Sequence, residues 1–233
     1  MMMKIAAQQP YFLPDFFFFY KIFLSDVFII ADFLLFRKQS PIGRTRLTET
    51  FKPKYLTIPI PHPASHRPLP IYQQKISLAA LWKRQHLQTL KSLYSQCPYF
   101  EFYYPELQEI YYRPHRYLHH FLLDFIEWQN KIIFPGKELN VTSRENVSDM
   151  VTFKKWLEKF SESPFLIYPQ ECGYYQQHFP FFQIIDLQPI SQLKFPPGYH
   201  PNQSLLILLF VEGPDTIRYF MKAVEKSAEE KYF

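Results

Sequence analysis

Five consecutive residues, Val27-Phe28-Ile29-Ile30-Ala31, are β-branched, aromatic or small, with no polar side chain among them. An apolar run of that length without alternation is the signature of a strand covered on both faces, as parallel sheets require. Upstream, Lys4-Ile5-Ala6-Ala7 reads as a second short buried strand. Between the two lies Gln8-Gln9-Pro10-Tyr11-Phe12-Leu13-Pro14, an ordered turn because each proline restricts both itself and its predecessor. A helix over 15–25 completes a strand-turn-helix-strand opening, a βαβ unit.

The rest of the chain continues the alternation. Residues 55–60 read as a strand, and 61–70, rich in proline and histidine, as a surface loop. Ser77 is placed to cap a helix reaching about residue 96, with Leu78, Leu81, Leu87, Leu90 and Tyr94 at helical spacing. Pro98 opens the next helical stretch, and 117–129 reads as a third helix with Leu118, Phe121, Leu122, Phe125 and Ile126 on its apolar side. Strands are predicted at 132–134, 165–168 and 182–185, and a short helix at 153–160. An apolar helix over 204–210 stops at Gly213, and Pro214 begins a charged final helix. With no internal repeat and no long linker, the 233 residues (1–233) are expected to form a single α/β domain. The expected fold is a mostly parallel sheet in a Rossmann-like layered arrangement, with an added helical layer inserted at approximately 77–130.

Composition narrows the chemistry. The chain has 21 Pro and only 5 Gly, where average usage would give roughly 12 and 16. Scarce glycine counts against a glycine-rich phosphate loop, and no P-loop, dinucleotide fingerprint, G-x-S-x-G elbow or Cys-x-x-Cys pair occurs. No cofactor is expected. A formal net charge of +5 is too modest to imply nucleic acid without clustering, and the basic stretches at Arg37-Lys38 and Lys83-Arg84 are interrupted by apolar residues. An anionic small ligand is easier to accommodate. Two cysteines, Cys97 and Cys172, cannot build a disulfide framework and read as buried thiols. No signal peptide is recognisable, so the chain reads as cytoplasmic and Asn140-Val141-Thr142 as a glycosylation sequon by spelling only. The most apolar window, 16–36, carries Lys21, Asp26 and Asp32 and is not expected to enter a membrane stably. Nothing sets an oligomeric state.

Candidate site residues carry two readings each. Asp32 follows a buried strand, where open α/β sheets bind ligands; it is either a general base or the cap of the following turn. Arg44 and Arg46 suit bidentate recognition of a phosphate or carboxylate, or form ordinary salt bridges. Gln9, next to Pro10 in a loop closed by Pro14, is placed to read a ligand hydroxyl or to bond its own loop. His115, His119 and His120 have a spacing that can hold zinc on a helix, yet lack a clear third ligand, and no metal is expected. The aromatic 19% of the chain, including Tyr103-Tyr104 and Tyr111-Tyr112, stacks sugar rings or, more simply, fills a core.

Gln9-Pro10-Tyr11-Phe12-x-Pro14, followed by Phe18, Phe19, Lys21, Asp26, Asp32 and a basic segment with Arg44, resembles the opening of the WbqC-like family. Trp82-x3-His86-Leu87 through Tyr94, Pro98-Tyr99-Phe100 and Pro105-x-Leu107 is a second matching segment. Pro201-Asn202-x-Ser204 through Leu209-Phe210 to Gly213-Pro214 is a third. Family members are found with genes for O-antigen and other bacterial surface polysaccharides, and some are labelled aminoacyl (glycine) transferases acting on amino sugars. The resemblance implies a group-transfer enzyme of surface-polysaccharide biosynthesis that moves an acyl or aminoacyl group to an amino sugar. It assigns catalysis to Asp32 and His86, and binding of an anionic or sugar-linked substrate to Gln9, Tyr11, Arg44 and Asn202.

The chain also departs from the family pattern. Phe33 follows Asp32 where many members have an acidic pair, and Gly43 stands where an Asn often precedes the arginine. Ile207 replaces a usual aspartate, and Gln8 a frequent histidine. These changes motivate a second reading: a non-catalytic member that keeps the fold as a sugar- or nucleotide-binding or scaffold protein. Convergence of Asp32, Arg44, His86 and Asn202 in one pocket separates the two.

Overall fold

Strands β1 (Ile5–Gln8) and β2 (Val27–Ile30) pair in parallel in the computed structural model, which describes residues 3–48, 52–61, 67–160, 165–168 and 182–229. Helix α1 (Phe16–Leu24) joins them. Its start is capped by Asp15, whose carboxylate accepts from the Phe18 N–H at 3.0 Å. Its end is set by Ser25, whose N–H and hydroxyl both donate to the Ile22 carbonyl.

Three further parallel strands, β5 (Leu139–Val141), β6 (Phe165–Ile167) and β7 (Phe182–Ile184), complete a sheet of order β5-β2-β1-β6-β7. Alternate side chains enter different layers. Ala6, Phe28 and Ile30 pack on the side of α1, together with Leu122 and Phe125 of helix α4 (Leu118–Ile133). Ile5, Ala7 and Ile29 face the other way, onto Phe153 and Leu157 of helix α5 (Met150–Leu157). The result is a five-stranded parallel sheet with helices on both sides, a Rossmann-like α/β layering, as the opening βαβ unit predicts. A separate antiparallel ribbon joins β3 (Arg44–Arg46) to β4 (Tyr55–Thr57). Helices α2 (Ala80–Tyr94), α3 (Phe100–Tyr112) and α4 follow it and pack on one another. The short helix α6 (Gln188–Ser191) and helices α7 (Leu205–Glu212) and α8 (Ile217–Glu229) come last.

Helix α7 is apolar on every side and correspondingly buried, from Leu205 to Phe210. It ends at Gly213, at φ +57°. A Cβ there would lie 2.6 Å from the Tyr99 ring, so both the backbone conformation and the close approach demand glycine. Among the described residues, no helix is long and apolar enough to cross a membrane.

Four sequence expectations need correction. Residues Ile132 and Ile133 are not a strand but the last turn of α4, because a three-residue apolar run fits either element and Ile133 completes the helix's buried face. Ser77 does not cap α2, which starts at Ala80 without a side-chain cap; its hydroxyl accepts from the Ala79 N–H instead. Leu78 and Leu81 are consequently exposed, and the buried stripe of α2 runs through Trp82, His86, Leu87, Leu90 and Tyr94. Asn140-Val141, read only as part of a sequon, belongs to edge strand β5, where one apolar face suffices. The expected loop at 61–70 and the Cys172 thiol fall wholly or partly outside the described residues.

Candidate functional site

The proline-bounded turn after β1, strand β3, Tyr55 of β4 and Asn202 all line a cavity of about 210 Å³. Three chain segments far apart in sequence meet here and are joined by backbone and hydroxyl hydrogen bonds. Phe12 N–H donates to the Pro41 carbonyl at 2.9 Å, and the Thr45 hydroxyl to the Leu13 carbonyl at 2.9 Å. Ser204 N–H donates to the Arg46 carbonyl at 2.9 Å, and Leu205 N–H to the Pro14 carbonyl at 2.8 Å. Gln203, buried beside them, donates to the Leu47 carbonyl at 3.0 Å. The turn is strained as well as rigid. Leu13 sits at φ +45°, in the left-handed region, although it precedes a proline; such a conformation costs on the order of 1–3 kcal/mol and persists only where surrounding structure imposes it.

The cavity brings Tyr11, Arg44 and Asn202 together. The Arg44 guanidinium lies 3.7 Å from the centroid of the Tyr55 ring, and its Nε is buried with no hydrogen-bond partner. Arg44 forms no ion pair among the described residues. Arg46 lines the same cavity, with its Nε donating to the Thr48 carbonyl at 3.3 Å. Arg44 and Arg46 thus both line a space that also meets Asp15. Burial pushes the Asp15 carboxyl up to about 6, against the pull of the α1 backbone N–H groups. A carboxyl at that value exchanges protons near neutrality.

Asp32, His86 and Gln9 lie outside this cavity lining. Asp32 is 0% exposed. Its Oδ1 accepts from the Thr142 hydroxyl at 2.7 Å and the Ser143 N–H at 2.9 Å, and its Oδ2 from the Ser143 hydroxyl at 2.5 Å. Its own N–H donates to Thr142 Oγ1 at 3.1 Å. These bonds fasten the end of β2 to the residues that follow edge strand β5. His86 is enclosed by Phe12, Trp82 and Tyr111, with Nδ1 3.2 Å from the Tyr111 hydroxyl. Burial takes its pKa down to about 4, with the Thr57 carbonyl opposing, so the ring is neutral at pH 7 and supports Phe12 from behind. Gln9 is half-buried beside the turn.

The remaining candidates also have defined surroundings. His115 Nε2 pairs with Asp124 at 2.9 Å ahead of α4, while the His119 and His120 rings lie 3.9 Å apart within it. Among the described residues, no three His, Cys, Asp or Glu side chains gather as metal ligands. Tyr103, Tyr104 and Tyr111 are core residues. Asp15 and Tyr55 were not anticipated as site residues. In the sequence Asp15 is only the first residue of the expected helix over 15–25, and nothing places Tyr55 against Arg44.

The cavity lining includes Tyr11, Phe12, Pro14, Arg44 and Asn202, which are among the residues that carry the family resemblance. No curated protein and no solved structure matches the chain. The family model described as the WbqC-like protein family matches residues 9–219, most of the chain and every wall of the cavity, and the chain belongs to that family.

Proposed function

We propose that this cavity binds the anionic part of a sugar-linked small molecule, in a group-transfer reaction that carries an acyl or aminoacyl group to an amino sugar during surface-polysaccharide biosynthesis. The observation that carries the reading is Arg44: a guanidinium stacked on Tyr55, with a buried unpartnered Nε and no carboxylate paired to it among the described residues. Such a group offers a charge-assisted fork to phosphate or carboxylate oxygens. At about 210 Å³ the cavity is smaller than the ~300–1,000 Å³ typical of drug-sized sites. It suits one acidic headgroup or one ring, the remainder of the substrate extending past Asn202.

Transfer needs a base for the acceptor amine. Asp15 lines the cavity and has a carboxyl raised to about 6, which suits it to accept the proton as the amine attacks the donor carbonyl and the leaving group departs with its electron pair. In this reading Asp32 and His86 hold the walls in place, and Gln9 orders the turn.

A second reading rests on a specific observation, the sealing of Asp32 and His86 away from the cavity. It makes the protein a binder of the same anion without chemistry. Both are tested by a thermal-shift screen against nucleotide sugars, amino-sugar phosphates, coenzyme A thioesters and aminoacyl donors, repeated on Arg44→Ala. Charge-assisted contacts worth about 1.5–3 kcal/mol imply roughly 10–150-fold weaker binding in the variant. A saturable shift that survives Arg44→Ala contradicts the cavity assignment. Turnover with an acidic limb near pH 6, lost in Asp15→Asn, supports transfer; tight binding without turnover by the wild type supports the second reading.

A further inference from the structure

The ribbon that carries Arg44 has two unlike faces. Its register sets Arg44 opposite Thr57, Thr45 opposite Leu56 and Arg46 opposite Tyr55. Residues directly opposite one another, and those two apart along a strand, share a face. Thr45 and Leu56, both buried, therefore take the inner face, and Arg44, Arg46, Tyr55 and Thr57 the outer one. Tyr55 is the diagonal neighbour of Arg44, at a separation that long and aromatic side chains bridge. At 3.7 Å from the ring centroid, the guanidinium carbon lies over the face of the Tyr55 ring, in contact with it.

The backbone beneath this pair is fixed. Ile58 N–H donates to the carbonyl of Gly43, the residue before Arg44, at 2.9 Å, and Leu47 N–H to the carbonyl of Lys54, the residue before Tyr55, at 2.8 Å. What remains to be ordered is the long Arg44 side chain, and a stem that is free until a ligand arrives loses its freedom at the expense of affinity. The stack orders it beforehand. It also decides which donors are offered. The Nε is buried, so the two terminal NH₂ groups, which make no hydrogen bond or ion pair among the described residues, are the donors left for the cavity that Arg44 lines.

We propose that Tyr55 is a positioning residue for Arg44: its ring holds the guanidinium in place before any ligand binds, so that the two terminal NH₂ groups meet an anion end-on, as a planar fork for two oxygens of one phosphate or carboxylate. The inference rests on the anion-binding reading above and deepens it. Position 44 demands a plane as well as a charge, and a lysine there does not serve.

NMR titration of the full chain with inorganic phosphate tests the proposal. Tyr55 is 37% exposed, so the fold is expected to tolerate its replacement. Tyr55→Leu is expected to weaken phosphate binding about two- to fivefold, the worth of one cation–π contact at an accessible site. Tyr55→Phe keeps the ring and is expected to bind like the wild type. Arg44→Lys keeps the charge without the fork and is expected to lose at least as much as Tyr55→Leu. Wild-type affinity in Tyr55→Leu or Arg44→Lys, or an equal loss in Tyr55→Phe and Tyr55→Leu, overturns the proposal. A ligand-free readout separates it from the binding reading. The Arg44 Cδ protons are expected to be shifted upfield by the ring in the wild type and in Tyr55→Phe, and to return to free-chain positions in Tyr55→Leu. No such shift in the wild type overturns the positioning role whether or not phosphate binds. With the shift present, phosphate binding that ignores Tyr55→Leu overturns the positioning role alone, whereas a wild type that binds no phosphate overturns the anion-binding reading and this role with it.

Discussion

Two polar centres, Asp32 just past the end of β2 and Arg44 on the separate β3–β4 ribbon, are built in opposite ways. At Asp32 a fully buried carboxylate meets the Thr142 and Ser143 hydroxyls and a backbone N–H, with no exposed surface left. At Arg44 a guanidinium faces a cavity and leaves its Nε without a partner. A polar group whose bonds are completed within the protein contributes to folding, whereas one left incomplete costs stability until something completes its bonds. The contrast separates residues that a shared motif presents as equals.

That comparison breaks first at Asp32. Truncation to alanine leaves buried hydroxyl and N–H groups without their acceptor, and Asp32→Ala is expected to lower unfolding stability by about 2–4 kcal/mol in chemical denaturation. A loss under about 0.5 kcal/mol would return Asp32 to the list of ligand-binding groups. A control of similar size comes from the apolar core: Leu87→Ala, on the buried stripe of α2, is expected to cost about 2–5 kcal/mol.

Acid sharpens the comparison. His86 is depressed from 6.5 to about 4 in the folded state, so its contribution is present above pH 6.5 and lost as the pH falls through 4. A shift of that size corresponds to about 3 kcal/mol as an upper bound. Asp15 works in the opposite sense. Raised from 3.8 to about 6, it favours the folded state below pH 3.8, and that contribution disappears as the pH rises through 6. Between pH 4 and 6 the two slopes oppose each other. Denaturation across this range is expected to show a steeper acid loss in Asp15→Asn, which removes the counteracting group, and a shallower one in a folded His86→Gln. An unchanged slope in Asp15→Asn would mean that its carboxyl is not raised.

The smallest stability effect is expected where the functional effect is largest. Arg44→Ala should leave unfolding stability within about 0.5 kcal/mol of wild type, since the guanidinium completes no ion pair among the described residues. A melting temperature lowered by many degrees would make Arg44 a structural residue instead.

Much of the fold was legible because its opening is local. Apolar runs at 27–31 and 4–7, a proline-bounded turn and a helix-length segment specify βαβ without distant information. Edge strand β5 and ribbon strand β3 were not legible, since half-buried strands of three residues carry too few apolar positions to stand out. The site divides on the same line. Arg44 and Tyr11 announced themselves through type and motif. The sealing of Asp32 depends on residues 110 positions downstream, and no local pattern carries that pairing. Lys21 illustrates the limit further: in the sequence it is only a charge that interrupts an apolar window, and its contact with Gln8 requires α1 to fold back along β1.

The contrast between an open arginine cavity and a closed aspartate is checked by following side-chain and backbone NMR signals while an amino-sugar phosphate is added. The account predicts a saturable shift of the Arg44 Nε–H resonance, with the Thr142 and Ser143 amides unmoved. Saturable shifts at Thr142 and Ser143 with Arg44 silent would contradict it and move the binding site to the end of β2.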